Sequence, residues 1–301
     1  MSNDAAANML EGELQLLEFE VGGNHYGINI AKVQEIMMRR QLVPIPNSPE
    51  EIEGVFMPRD QLITIVDLHK VLKLPVDENE RGLFIICRFN ETDIGFHVDK
   101  VNGIHTTSWS EIEHPPKMAT RLENSISTGI VKSDSAIILI IDFDRIIMEL
   151  SDGPGLDFTG ADSAEGKEDI LGDKHLVIAE DSDFLNHMIV NSLSDIGFKE
   201  IRSFPNGKEA WDYISSVRDT DGDITDKIAA IITDIEMPQM DGLQLTKLIK
   251  SDEKLNVIPV FLFSSLINEQ VTEKCREAGA DGQYSKPQIG MLIQKLVEIL
   301  S

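Results

Sequence analysis

Apolar positions along this chain follow two rhythms, and the change falls near residue 160. In the amino-terminal part the rhythm is two. Leu17-Glu-Phe-Glu-Val alternates, Gly22-Gly23 interrupts, and Tyr26-Gly-Ile-Asn-Ile alternates again, which predicts a β-hairpin. Further strands are expected at Leu62–Val66, Leu83–Phe89, Ile94–Val98, Gly129–Lys132 and Ala136–Ile141. Val33, Ile36 and Met37 fall on one face at helical spacing, so a helix is expected after Ala31. Short strands separated by Gly, Asn and Pro turns predict one or two small closed barrels over residues 14–150, behind a short flexible lead at 1–13. Residues 151–173, rich in Gly, Asp and Ser and poor in apolar side chains, read as an acidic flexible linker. From 174 to 301, short apolar or aromatic runs alternate with helical stretches, the pattern of βα units feeding a parallel sheet.

The polar residues that end those runs carry the chemistry. Glu180-Asp181 follows His175-Leu-Val-Ile-Ala, and Asp234 follows Ile228-Ala-Ala-Ile-Ile-Thr. Ser264 follows Val260-Phe-Leu-Phe, and Lys286 follows Gly282-Gln-Tyr-Ser. Residues just past the carboxyl ends of parallel strands converge on one crevice. Three carboxylates, a hydroxyl and an ammonium would meet there. Carboxylates that close repel one another unless a hard cation lies between them, and an oxygen-only donor set with room for water suits Mg²⁺. Asp234 is then a nucleophile, with Lys286 and Ser264 placed to meet phosphoryl oxygens. This is equipment for phosphoryl transfer onto an aspartate.

At this point residues 174–301 resemble a two-component receiver domain. The acidic pair, acceptor Asp, Ser and Lys-Pro stand in order, with 30 residues from Asp234 to Ser264 and 22 more to Lys286. Met237-Pro-Gln-Met-Asp-Gly, Asn206-Gly-Lys-Glu-Ala and Gly279-Ala-Asp add supporting landmarks. The resemblance implies a doubly wound (βα)5, flavodoxin-like fold. It also implies a Mg²⁺ site on Glu180, Asp181, Asp234 and the Glu236 backbone carbonyl, a switch at Ser264 and Tyr284, and a cis bond before Pro287. The amino-terminal half shows no catalytic constellation: its histidines do not pair at metal-ligand spacing and it lacks a Gly-rich phosphate loop. Its motifs Tyr26-Gly-Ile-Asn-Ile-Ala-Lys-Val-Gln-Glu-Ile, Val43-Pro-Ile-Pro-Asn-Ser-Pro, Ile52-Glu-Gly-Val-Phe-Met-Pro-Arg and Ile63-Thr-Ile-Val-Asp-Leu resemble the CheW coupling domain. That likeness implies an all-β half of two five-stranded SH3-like barrels that bridges chemoreceptor tips and the chemotaxis histidine kinase. It implies partner contacts at Arg59, Glu35 and Val33, although Arg59 is followed by Asp60 where the family has Gly. Coupling domain followed by receiver is the architecture of the CheV family.

Charge narrows the function classes. The net charge of −25 is shared: residues 1–160 carry 13 Lys/Arg against 26 Asp/Glu, and residues 161–301 carry 14 against 26. Without a cationic cluster, nucleic-acid binding is not expected. No long apolar run or basic leader supports a membrane span or signal peptide. Cys87 and Cys275 read as buried free thiols of a cytoplasmic protein. The expected protein is a cytoplasmic signalling adaptor associated with membrane-bound receptor arrays, and its only catalysis is its own phosphoryl transfer and dephosphorylation. A phosphate sink draining the kinase is the alternative. A haloacid-dehalogenase-like phosphatase would need a second Asp two residues after the nucleophile, where this chain has Glu236.

Overall fold

The computed structural model describes residues 13–58, 61–75, 82–89, 92–113, 126–133, 136–150, 168–265 and 269–301. They form two compact units, one from Met1–Ser108 with Ile126–Asp152 and one from Trp109–Ser125 with Gly153–Ser301.

The first unit holds two five-stranded sheets. Strands β1 (Glu13–Val21) and β2 (Asn24–Asn29) form the expected hairpin, joined at Gly22-Gly23. Both glycines have positive φ, 57° and 75°, the backbone this tight turn requires and that side chains with a Cβ resist. The order of this sheet is β8-β1-β2-β10-β9, with β8 at Lys100–Ser108, β9 at Ser127–Lys132 and β10 at Ile137–Ile141. The second sheet takes the intervening chain in the order β3-β6-β7-β5-β4. Its strands are β3 (Val33–Met38), β4 (Ile52–Phe56), β5 (Ile63–Asp67), β6 (Leu83–Phe89) and β7 (Thr92–Val98). Each sheet joins a central hairpin to a second hairpin through one parallel pair, β2 with β10 and β7 with β5. Among the described residues the unit also has helices α1 (Leu68–Val71) and α2 (Phe143–Leu150).

The helix expected after Ala31 is a strand instead. Only Ile30–Lys32 turns, as a 3-10 turn capped by the Asn29 side chain, and β3 then pairs with β6 from Val33↔Cys87 to Met38↔Leu83. Helical spacing misled because, of Val33, Ile36 and Met37, Ile36 is 42% exposed and Met37 only half-buried. The partner strand supplies the backbone hydrogen bonds, and that outweighs a local apolar pattern. Strands β4 and β8 carried no clear signal. In β8, Lys100, Asn102 and Ile104 face solvent, so the apolar alternation is lost.

Histidine–carboxylate contacts hold the first unit together as well. The His69 Nε2 lies 2.7 Å from Asp99 and its Nδ1 3.2 Å from Asp67, while Asp99 also accepts the Gly22 N–H at 2.6 Å. His97 Nδ1 lies 2.9 Å from Glu53. These two histidines thus partner carboxylates rather than one another. Burial works against the Glu53 charge, but hydrogen bonds from His97 and Arg39 outweigh it and bring the carboxyl down to about 2.

The second unit is an α/β doubly wound domain with sheet order β12-β11-β13-β14-β15, every pair parallel. The strands are β11 (His175–Ala179), β12 (Glu200–Phe204), β13 (Ala230–Thr233), β14 (Val260–Ser264) and β15 (Gly282–Ser285). The helices are α3 (Glu168–Leu171), α4 (Asp183–Asp195), α5 (Gly207–Arg218), α6 (Gly242–Ser251), α7 (Glu269–Glu277) and α8 (Ile289–Leu300). The central strands β13 and β14 are buried throughout, as both faces of such a sheet are covered by helices. Order reverses beside β11, which puts the crevice at the carboxyl ends of β11 and β13. Helix α3 stands within the expected linker, and its Leu171 is fully buried; residues 151–167 lie outside the described set. The Asp- and Thr-rich stretch 218–227 is internally satisfied, with the Lys227 ammonium bonded to Thr220 Oγ1 and the Asp221 carbonyl. Both cysteines are buried free thiols, and burial pushes Cys275 up to about 12. No described helix is long and apolar enough to cross a membrane.

Because the Glu53 carboxyl is held low, its stabilising contribution is complete above its ordinary value near 4.5 and is lost as pH falls toward about 2. Hydrogen exchange of β4 and β7 amides in wild type and Glu53→Gln should therefore differ at neutral pH and converge as the pH approaches 2.

Candidate phosphoacceptor site

Four strand ends build the site. Glu180 follows β11 and is 2% exposed; its Oε1 accepts the Ser182 N–H at 3.3 Å and the Lys286 ammonium at 2.9 Å. Ser182 caps α4 by accepting the Leu185 N–H, and this sets the turn on which Asp181 sits. Asp234 follows β13, its backbone N–H donating to the Ala179 carbonyl. Its Oδ1 accepts the N–H groups of Ile235 at 2.6 Å and Glu236 at 3.3 Å, and its Oδ2 accepts Lys286 Nζ at 2.8 Å. Lys286 is the residue after β15 and is 4% exposed. One buried ammonium therefore bridges two buried carboxylates. Removing it alone would strand both charges, a loss of ~3–5 kcal/mol for a buried pair.

Glu180, Asp181 and Asp234 each present a carboxylate oxygen within 4.8 Å of the others. Three convergent oxygen donors of one charge fit a hard divalent cation, so the donor set suits Mg²⁺. Ser264 ends β14, buried, paired in register with Ser285 and so one residue from Lys286 along the edge. Tyr284 lies on β15, half-buried, its ring centroid 6.2 Å from that of Phe261, and burial raises its phenol.

The acceptor loop is fixed from below. The Gly242 N–H donates to the Ile235 carbonyl at 3.0 Å, and a Cβ on Gly242 would collide with the Asp234 carbonyl. Only glycine permits that closeness. The cis bond expected before Pro287 is absent: no described peptide bond is cis, and Lys286–Gln288 runs as a 3-10 turn, whose first positions suit proline's fixed φ.

The expected partner-binding residues fall in the first unit, apart from this chemistry. Glu35 is exposed on β3, Val33 is buried at its start, and Arg59 lies outside the described residues. Six of the exposed large hydrophobics, Ile36, Met38, Val43, Ile45, Met57 and Leu62, fall on or beside β3, β4 and β5. Sequence reasoning missed two further buried charged residues in the α/β unit, Asp241 and Lys274. Asp241 stood only as a landmark of the loop motif, and Lys274 carries no signal, being one charge among many on α7.

Comparison with known proteins agrees with this division. The CheW-like domain family matches residues 15–151, and the response regulator receiver domain family matches 176–298. The chain is a CheW-like domain followed by a response regulator receiver domain. It is similar over its whole length to Helicobacter pylori chemotaxis protein CheV3, 28% identical across 100% of this chain and 99% of that protein. Chemotaxis protein CheV2 of the same organism is 25% identical over 97% and 96% of the two chains. The CheW-like half alone is 27% identical to Thermotoga maritima chemotaxis protein CheW, over 46% of this chain and 91% of that one. The protein is thus a chemotaxis adaptor of the coupling type carrying a receiver domain, and the acidic site belongs to the receiver.

Trp109 lies within the CheW-like match and Trp211 within the receiver match, so in a Trp109→Phe background tryptophan emission reports on the receiver's unfolding. Mg²⁺ at a hundred times its dissociation constant should stabilise that transition by about 2.7 kcal/mol. Chelation should reverse the gain and Asp181→Asn should abolish it; an equal gain in that variant would exclude the carboxylate site as the metal site.

Proposed function

We propose that this protein couples chemoreceptors to the chemotaxis histidine kinase and that phosphorylation of Asp234 modulates the coupling. The observation that carries the reading is the Lys286 ammonium bonded to both Glu180 and Asp234, beside Asp181, on a chain whose other half is CheW-like. When bound, Mg²⁺ would neutralise charge on the phosphoryl oxygens and on the carboxylates of Glu180, Asp181 and Asp234, with the Glu236 carbonyl as a further ligand. Asp234 attacks the phosphorus of a kinase phosphohistidine in line. The P–N bond breaks as the P–O bond forms, and the imidazole leaves with the electron pair. Lys286 then follows the charge from carboxylate to transferred phosphoryl group, and the Ser264 hydroxyl donates to one of its oxygens. Neither residue is consumed, so the domain catalyses only its own phosphorylation and its own hydrolytic dephosphorylation.

Phosphorylation converts a carboxylate paired with Lys286 into an acyl phosphate that demands a donor on the opposite side. Ser264 and Tyr284, at the ends of adjacent strands, form the switch that answers it. In the CheW-like domain, Arg59 and Glu35 meet the kinase regulatory domain and receptor tips, and Val33, buried at the start of β3, supports that surface from beneath. The exposed apolar residues around β3–β5 supply the buried area such contacts require. The protein then works in the cytoplasm, on membrane-bound receptor arrays.

Phosphotransfer from purified, labelled chemotaxis kinase is the direct test. Label should reach the wild type with Mg²⁺ present, and neither the chelated protein nor Asp234→Asn should accept it. Label on Asp234→Asn would move the acceptor elsewhere. If receptor-controlled kinase activity were the same with wild type and Asp234→Asn while transfer still occurred, the chain would be a phosphate sink.

A further inference from the structure

The peptide unit that joins Asp234 to Ile235 is gripped at both ends. Its N–H, on Ile235, donates to the Asp234 carboxylate Oδ1 at 2.6 Å. Its carbonyl, on Asp234, accepts the Thr233 hydroxyl at 3.0 Å. The unit is planar and trans, so its N–H and its carbonyl point in opposite directions and neither turns without the other. Whatever holds the carbonyl therefore aims the N–H. The carboxylate follows in turn, with Oδ1 bonded to the N–H groups of Ile235 and Glu236 and Oδ2 to Lys286.

Thr233 stands where an apolar residue would serve the fold as well. It ends β13, a strand otherwise of alanine and isoleucine, and it is 0% exposed. Valine has the same shape and suits a buried strand, whereas a buried hydroxyl costs stability unless it is hydrogen-bonded. Here the bond goes to the acceptor's own carbonyl. The first turn of α6 closes against the same group: a Cβ on Gly242 would collide with the Asp234 carbonyl oxygen and lie 3.1 Å from Thr233 Oγ1. Thr246, also fully buried, ties that turn by donating its hydroxyl to the Gly242 carbonyl at 2.7 Å. The acceptor peptide is thus fixed from behind by one side-chain hydroxyl and a close-packed helix start.

We propose that Thr233 is a positioning residue for phosphoryl transfer: its hydroxyl sets the Asp234–Ile235 peptide plane and, through the Ile235 N–H, the rotation of the acceptor carboxylate. The proposal rests on Asp234 being the phosphoacceptor. Nothing in it requires Thr233 to touch the phosphoryl group.

The test compares two variants of the full-length protein. Thr233→Val keeps the shape and loses the hydroxyl, and Thr233→Ser keeps the hydroxyl and loses the methyl group. Asp234 phosphorylation by acetyl phosphate is followed at saturating Mg²⁺, and the Ile235 amide proton is recorded by NMR without Mg²⁺. Thr233→Val should lower the maximal rate about tenfold, as small misplacements of reacting groups do, at an unchanged half-saturating concentration of acetyl phosphate. The Ile235 amide, downfield in the wild type because it is bonded to a carboxylate, should move upfield in Thr233→Val. In Thr233→Ser both the rate and the amide shift should stay close to those of the wild type. A wild-type maximal rate in Thr233→Val would overturn the proposal. So would an equal loss in Thr233→Ser, which would make the methyl group's packing the cause, or a slow Thr233→Val with an unmoved Ile235 amide. Should Thr233→Val fail to fold, Thr233→Ala takes its place, since it differs from Thr233→Ser by the hydroxyl alone; equal rates in those two would overturn the proposal. A wild type that takes no phosphoryl group from acetyl phosphate would refute the acceptor reading and the positioning role with it. Phosphorylated wild type and Thr233→Val at one rate would remove the positioning role alone.

Discussion

Carboxylate repulsion is the constraint on which the receiver half depends. The doubly wound sheet brings Glu180, Asp181 and Asp234 to one edge, and in a site shielded from water their mutual repulsion works against the fold that assembles them. Lys286 offsets part of it with one ammonium shared between Glu180 and Asp234. The backbone offsets more, since Asp234 Oδ1 is held by two N–H groups. What remains is an excess of negative charge at a crevice that opens between strand ends. That residual charge favours a cation, which would in turn offset the charge of an incoming phosphoryl group, so the site is poised because it is incompletely neutralised.

The CheW-like half meets the opposite demand. Its polar clusters are closed on themselves: His69 sits between Asp67 and Asp99, and Glu53 between His97 and Arg39. Such polar contacts brace the sheets and leave these groups engaged with one another. What it offers outward is apolar, with Ile36, Met38, Val43, Ile45, Met57 and Leu62 exposed around its second sheet. The net charge of −25 opposes self-association through such side chains.

How much was legible follows from where each signal originates. Parallel strands buried on both faces are continuous apolar runs, so β11, β13 and β14 could be read directly, along with the polar residues that end them. The β1–β2 hairpin was equally plain because Gly22-Gly23 supplies a backbone that other residues resist. Strand β3 was misread because its exposed Ile36 and the half-buried Met37 imitate an amphipathic helix, and only pairing with β6 reveals the strand. Strand β8 hid for the reverse reason, its outward positions being polar or exposed. At the site, the residues legible in sequence were those whose position after a strand fixes their destination. Lys274 was not among them, because a lysine within a helix declares nothing about burial until the packing of that helix is known.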